Sequence, residues 1–133
     1  EFDVLSAAIN EILDLSLRCF TQRDVHIAAQ VEPLEQVIDT LKERIRTRHI
    51  LRMQQGACSI EAGFVLSDLL TELERTSDHC SNIAGCVIDA AQHNLNLHET
   101  LKATKTDSAD FQPTFARYAR KYALPASTGD TTA

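Results

Sequence analysis

The sequence has no tryptophan, only 4 glycines and 3 prolines in 133 residues, and 5% aromatic residues. Scarce glycine and proline exclude collagen-like and turn-rich chains and favour helices. Basic residues are also in deficit. With 13 Lys and Arg against 19 Asp and Glu, the formal net charge is -6. That balance argues against nucleic-acid or anionic-membrane binding, both of which need clustered cations. No run reaches the roughly 18 apolar residues of a membrane span, so this segment is expected not to insert into a membrane. The cysteines are few and irregular. Cys19, Cys58, Cys80 and Cys86 show neither a CxxC nor a zinc-ribbon spacing, so they read as buried or half-buried free thiols of a reducing compartment.

What is present suits one folded domain: 44% hydrophobic and 24% charged residues, near the average for globular proteins. The chain opens on a helical pattern without an initiator Met, so it reads as part of something longer.

Three long amphipathic segments dominate. In the first, Leu5, Ile9, Ile12, Cys19 and Phe20 recur on one helix face, and the helix should end near residues 21–23. Asp24 is then a plausible N-cap for a second helix, whose seam is Val31, Leu34, Ile38, Leu41 and Ile45. Pro33 interrupts its hydrogen bonding and predicts a kink rather than a restart, because the seam runs through it. Gly56 supplies the stop. A third helix should run from about Ser59 to Gln92, with the seam Leu69, Leu73, Thr76, Cys80, Ile83 and Val87. Residues 93–107 lose periodicity and read as frayed helix and loop. A short fourth helix after Pro113 carries Phe115, Tyr118 and Tyr122 on one stripe.

The expected fold is therefore all-α, an up-down antiparallel three-helix bundle with a short additional C-terminal helix. Residues 1–106 form the bundle, 107–124 hold the short helix packed on it, and 125–133 form a small, polar, disordered tail.

Four acidic pairs stand four residues apart: Glu35/Asp39, Asp39/Glu43, Asp68/Glu72 and Glu74/Asp78. Glu35 and Asp39 each follow a seam residue, and Glu74 follows Leu73, so these carboxylates lie on the shoulder of a buried stripe. Glu72 has Arg75 three residues on, the spacing of a surface ion pair. Glu74 has no cation one turn away on its own helix, and Asp78 has only Arg75, three residues before it and shared with Glu72. Their mutual repulsion calls for a bound cation or a partner helix. Carboxylates at i, i+4 suit oxygen-loving or borderline metals, yet a solvated face explains the same spacing, and both readings stand. His26, His49, His79, His93 and His98 read as surface or cap residues, and Glu32 and Glu61 as solvated charges.

The run Glu74-Arg75-Thr76-Ser77-Asp78-His79-Cys80-Ser81-Asn82-Ile83-Ala84 matches E-R-x-x-D-H-x-x-N-I-A, the signature of the PhoU family. Residues 34–39 and 48–53 resemble its second-helix element. The wording of residues 78–84, with the preceding residues 58–70, is most similar to the PhoU-like domain at the C-terminal end of bacterial sodium/phosphate cotransporters. That resemblance covers residues 5–100. It implies a helical-bundle regulatory domain of a sodium-dependent phosphate transporter, acting in cis or in trans at the cytoplasmic face of the bacterial inner membrane. It also implies multinuclear iron or zinc, or another divalent cation, held by Glu35, Asp39, Glu74 and Asp78. PhoU proteins carry two such bundles and this chain has one, so two copies forming a homodimer would restore the pair. The alternatives are a free-standing phosphate-signalling adaptor and a metal-free helical interaction module. An enzyme is not expected: no Ser/His/Asp set, Gly-rich phosphate loop or HExxH is present.

Overall fold

The computed structural model describes residues 1–92 and 109–126. Among the described residues four helices follow one another: α1 (Phe2–Gln22), α2 (Val25–Gln54), α3 (Ile60–Gln92) and α4 (Phe111–Lys121). Helices α1, α2 and α3 all pack on one another, and α4 lies against α2. Short turns at residues 23–24 and 55–59 force α1, α2 and α3 to alternate in direction, so the three-helix bundle holds as expected.

Each boundary has a local cause. Arg23 adopts the left-handed conformation (φ 53°) that closes α1. Asp24 caps α2, its carboxylate accepting from the backbone N–H of His26 at 2.8 Å and of Ile27 at 3.1 Å. Two otherwise orphaned amides are satisfied there. Replacing Asp24 with Ala should cost about 1 kcal/mol, a fall in Tm of roughly 3–6 °C that calorimetry would register. At the far end of α2, Gly56 turns the chain with φ +70°. Its N–H and that of Ala57 bond back to Met53 and Arg52.

The α2 seam is buried as read: Val31, Leu34, Ile38, Leu41 and Ile45 are at most 3% exposed. The helix passes through Pro33, itself buried, without a restart. Along α3 the buried stripe is Leu70, Ser77, Cys80, Ser81, Ala84, Val87 and Ile88, while Leu69 and Ile83 face outward. The expected α3 seam was therefore offset by about one residue for these two positions. Between Leu70 and Val87 the buried positions are filled by small side chains, so the large aliphatics there do not mark the contact. Phe20 is a second correction: it is 64% exposed, while the adjacent Cys19 takes the core-facing position.

The fourth helix begins two residues before Pro113, which is tolerated because a first turn has no N–H partners to lose. Tyr118 is buried, and the Tyr122 hydroxyl and Lys121 ammonium both donate to Glu11 of α1. Burial works against the Glu11 charge, but these donors outweigh it and hold its pKa below the usual carboxylate value. Arg117 donates to Gln30 of α2 at 3.1 Å. The tail expected at 125–133 and the loop expected at 93–107 lie largely outside the described residues, as do His93 and His98.

All four cysteines are free. Cys19 and Cys80 are buried, and burial pushes both thiols above their ordinary pKa. Cys58 is half-buried. Cys86, against expectation, is exposed.

Candidate functional site

Of the shoulder carboxylates, Glu35 and Asp39 lie on α2 and Glu74 and Asp78 on α3. Glu35 and Glu74 are half-buried, and Asp39 and Asp78 are exposed. The group that organises them is Lys42, on the next turn of α2. Its ammonium donates to Asp39 Oδ1 at 2.8 Å and crosses the groove to Glu74 Oε1 at 2.5 Å, with Glu43 Oε1 at 3.3 Å. The Lys42 side chain is only 7% exposed. Burial alone would lower its pKa, but the bonds from Asp39 and Glu74 outweigh that and raise it above the ordinary lysine value. The charge is therefore fixed in this groove at neutral pH.

Two members of the expected tetrad, Asp39 and Glu74, are thus brought together, and by an ammonium. Among the described residues no three His, Cys, Asp or Glu side chains converge to hold a metal ion. Oxygen ligands to iron or zinc must approach to about 2.0–2.2 Å from a shared point. Lys42 stands at that point between Asp39 and Glu74. As arranged here, Glu35, Asp39, Glu74 and Asp78 do not fit a multinuclear centre. Sequence reasoning passed over Lys42, although a signal existed: it follows Asp39 by three residues and, like Glu35 and Asp39, follows a seam residue.

Two further residues differ from expectation. Glu32 is 3% exposed rather than solvated, and accepts a hydrogen bond from Ser81 of α3. His49 is buried rather than superficial, with Nε2 3.9 Å from Cys58 Sγ. Gly63 leaves room for it: a Cβ there would meet Met53 Sδ at 2.9 Å and His49 Nε2 at 3.1 Å. The expected Arg75–Glu72 ion pair is present at 3.3 Å.

Two clefts open on the surface. One, of about 280 Å³, lies at the α2–α3 turn between His49, Ile50, Met53, Phe64 and Leu70. The other, of about 680 Å³, lies where the C-terminal ends of α1 and α3 meet, lined by Phe20, Arg23, Cys86, Val87 and Ala90. Exposed apolar side chains include Leu13, Leu17 and Phe20, spaced four and three residues apart on α1, and Leu69 and Ile83 on α3, all 37–64% exposed.

The described residues thus form an antiparallel helical bundle with a lysine-bridged acidic groove and exposed apolar side chains. The PhoU domain family matches residues 3–87, the whole of α1 and α2 and most of α3. The chain belongs to that family. Among curated proteins, the phosphate-specific transport system accessory protein PhoU homolog 1 of Thermotoga maritima is 26% identical over 106 residues. The match covers 80% of this chain and 45% of the relative, so the chain spans less than half of that protein's length. No solved structure matches the chain.

Proposed function

We propose that this chain is a regulatory module of phosphate transport that works through contact with protein partners and carries out no chemistry of its own. The observation that carries the reading is the family match across the bundle. The printed role of the Thermotoga maritima relative, an accessory of phosphate-specific transport, points the same way.

The finer reading is a domain acting on a sodium-dependent phosphate transporter from the cytoplasmic face of the bacterial inner membrane. It is supported by the wording of residues 58–70 and 78–84. No described helix is long and apolar enough to cross a membrane, so membrane association in this reading comes through the transporter. A free-standing adaptor would use the same surfaces, and a reading frame without hydrophobic spans would decide for it.

The exposed stripe Leu13, Leu17 and Phe20 of α1, with Ile83 of α3, supports pairing with a second copy of the chain. The relative is long enough for two bundles of this size, and an apolar face of this kind is what a second bundle would cover. One experiment tests both levels. Deleting the coding segment for this chain should abolish the adjustment of phosphate uptake to external phosphate, and sedimentation of the purified chain should give a dimer. Uptake that adjusts normally without the segment would overturn the regulatory reading. A monomer at high concentration would overturn the pairing alone.

A further inference from the structure

We infer that Lys42 serves as the built-in counter-cation of the α2–α3 acidic groove, taking the place that a divalent metal would need between Asp39 and Glu74. The ammonium reaches Asp39 Oδ1 at 2.8 Å, Glu74 Oε1 at 2.5 Å and Glu43 Oε1 at 3.3 Å. Arg46 then binds the same Glu43 oxygen at 2.9 Å. Two cations thus neutralise part of the α2 shoulder, and one of them bridges to α3.

Geometry makes the lysine more than a surface partner. Its side chain is 7% exposed, whereas the Glu74, Asp39 and Glu43 side chains are 31%, 53% and 55% exposed. The stem is packed between the helices, and only the head meets the carboxylates. Loose surface ion pairs contribute little. A largely buried ammonium whose carboxylates come from two helices fixes their register. An ion entering between Asp39 and Glu74 would have to expel that ammonium, leaving a side chain whose stem is packed between the helices without its carboxylates. The groove therefore holds α2 on α3 without metal, and metal availability does not change the state of this bundle. This inference stands apart from the phosphate-transport reading, since a regulator of transport can work with or without a bound ion.

The test compares the purified full chain with its Lys42→Gln and Lys42→Met variants, using Mn²⁺ alone as the probe because it prefers oxygen donors. Wild-type protein should show no stoichiometric Mn²⁺ uptake, and neither EDTA nor Mn²⁺ should move its Tm. Lys42→Gln keeps a donor, one atom short of the lysine's reach, but removes the charge. It should melt lower by on the order of 5 °C and should regain several degrees on adding Mn²⁺. Adding Glu74→Gln to it should erase that gain. Stoichiometric uptake by the wild type, lost on Glu74→Gln, would overturn the inference. So would a Lys42→Gln protein as stable as wild type, or one that stays unresponsive to Mn²⁺. Should Lys42→Met fail to fold, the wild-type and Lys42→Gln results decide.

Discussion

Ile38→Ala should destabilise the bundle by about 3 kcal/mol, the middle of the range for deleting a fully buried aliphatic side chain. Ile38 is 0% exposed near the centre of α2, the helix that packs on α1, α3 and α4. Removing its three outer carbons forfeits burial and leaves a void that the neighbouring Leu34 and Leu41 cannot fill without shifting their own helix. For a domain of this size the loss should lower Tm by roughly 10 °C. Urea unfolding should show a lower midpoint with an unchanged slope, because the surface exposed on unfolding is nearly the same. Ile38→Val, which removes one methyl group, should cost about 1 kcal/mol. A Tm within a degree of wild type for Ile38→Ala would mean that the seam is not where the core is.

Tyr118→Ala should have an effect of similar size but in a different place. Tyr118 is 2% exposed and heads the fully buried side chains by volume. It carries α4, and an isolated helix of 11 residues is not stable in water. All of the order in α4 must come from docking. That docking rests on Tyr118, on the Tyr122 and Lys121 bonds to Glu11, and on Arg117 with Gln30. Losing a buried aromatic costs about 3–5 kcal/mol, more than the remaining polar contacts can offset at about 1 kcal/mol each. The helix should therefore come off while α1, α2 and α3 remain folded. Hydrogen exchange should show amides of residues 115–121 losing protection by about a hundredfold or more, with the central turns of α2 little changed. Uniform loss across all four helices would instead make α4 part of one cooperative core.

The two sites also show what the sequence could and could not reveal. The α2 seam was legible because large aliphatics mark it at helical spacing, and the aromatic stripe of α4 announced itself in the same way. The α3 stripe was not, because Ser77, Ser81, Ala84 and Gly85 do the packing and small residues carry no periodic signal. Large residues just beside it, Leu69 and Ile83, drew the seam outward by one position. The acidic shoulders were readable from the residues following Leu34, Ile38 and Leu73. Their counter-cation was not, because Lys42 meets Glu74 across 32 residues of chain and the relative height of α2 and α3 decides the contact. Glu32 escaped for the same reason: its donor, Ser81, is 49 residues away. Helix faces follow from one segment, whereas partners between helices follow from register.

The central claim is that a folded, non-catalytic bundle tunes phosphate transport through its surface. The most direct measurement is phosphate uptake against external phosphate in three strains: wild type, the deletion, and one carrying Leu17→Glu/Phe20→Glu. Both side chains are more than 60% exposed, so the double variant should fold with unchanged helical content. The account predicts that its uptake follows the deletion, insensitive to phosphate supply. A folded double variant and a deletion strain that both regulate uptake as wild type does would contradict it.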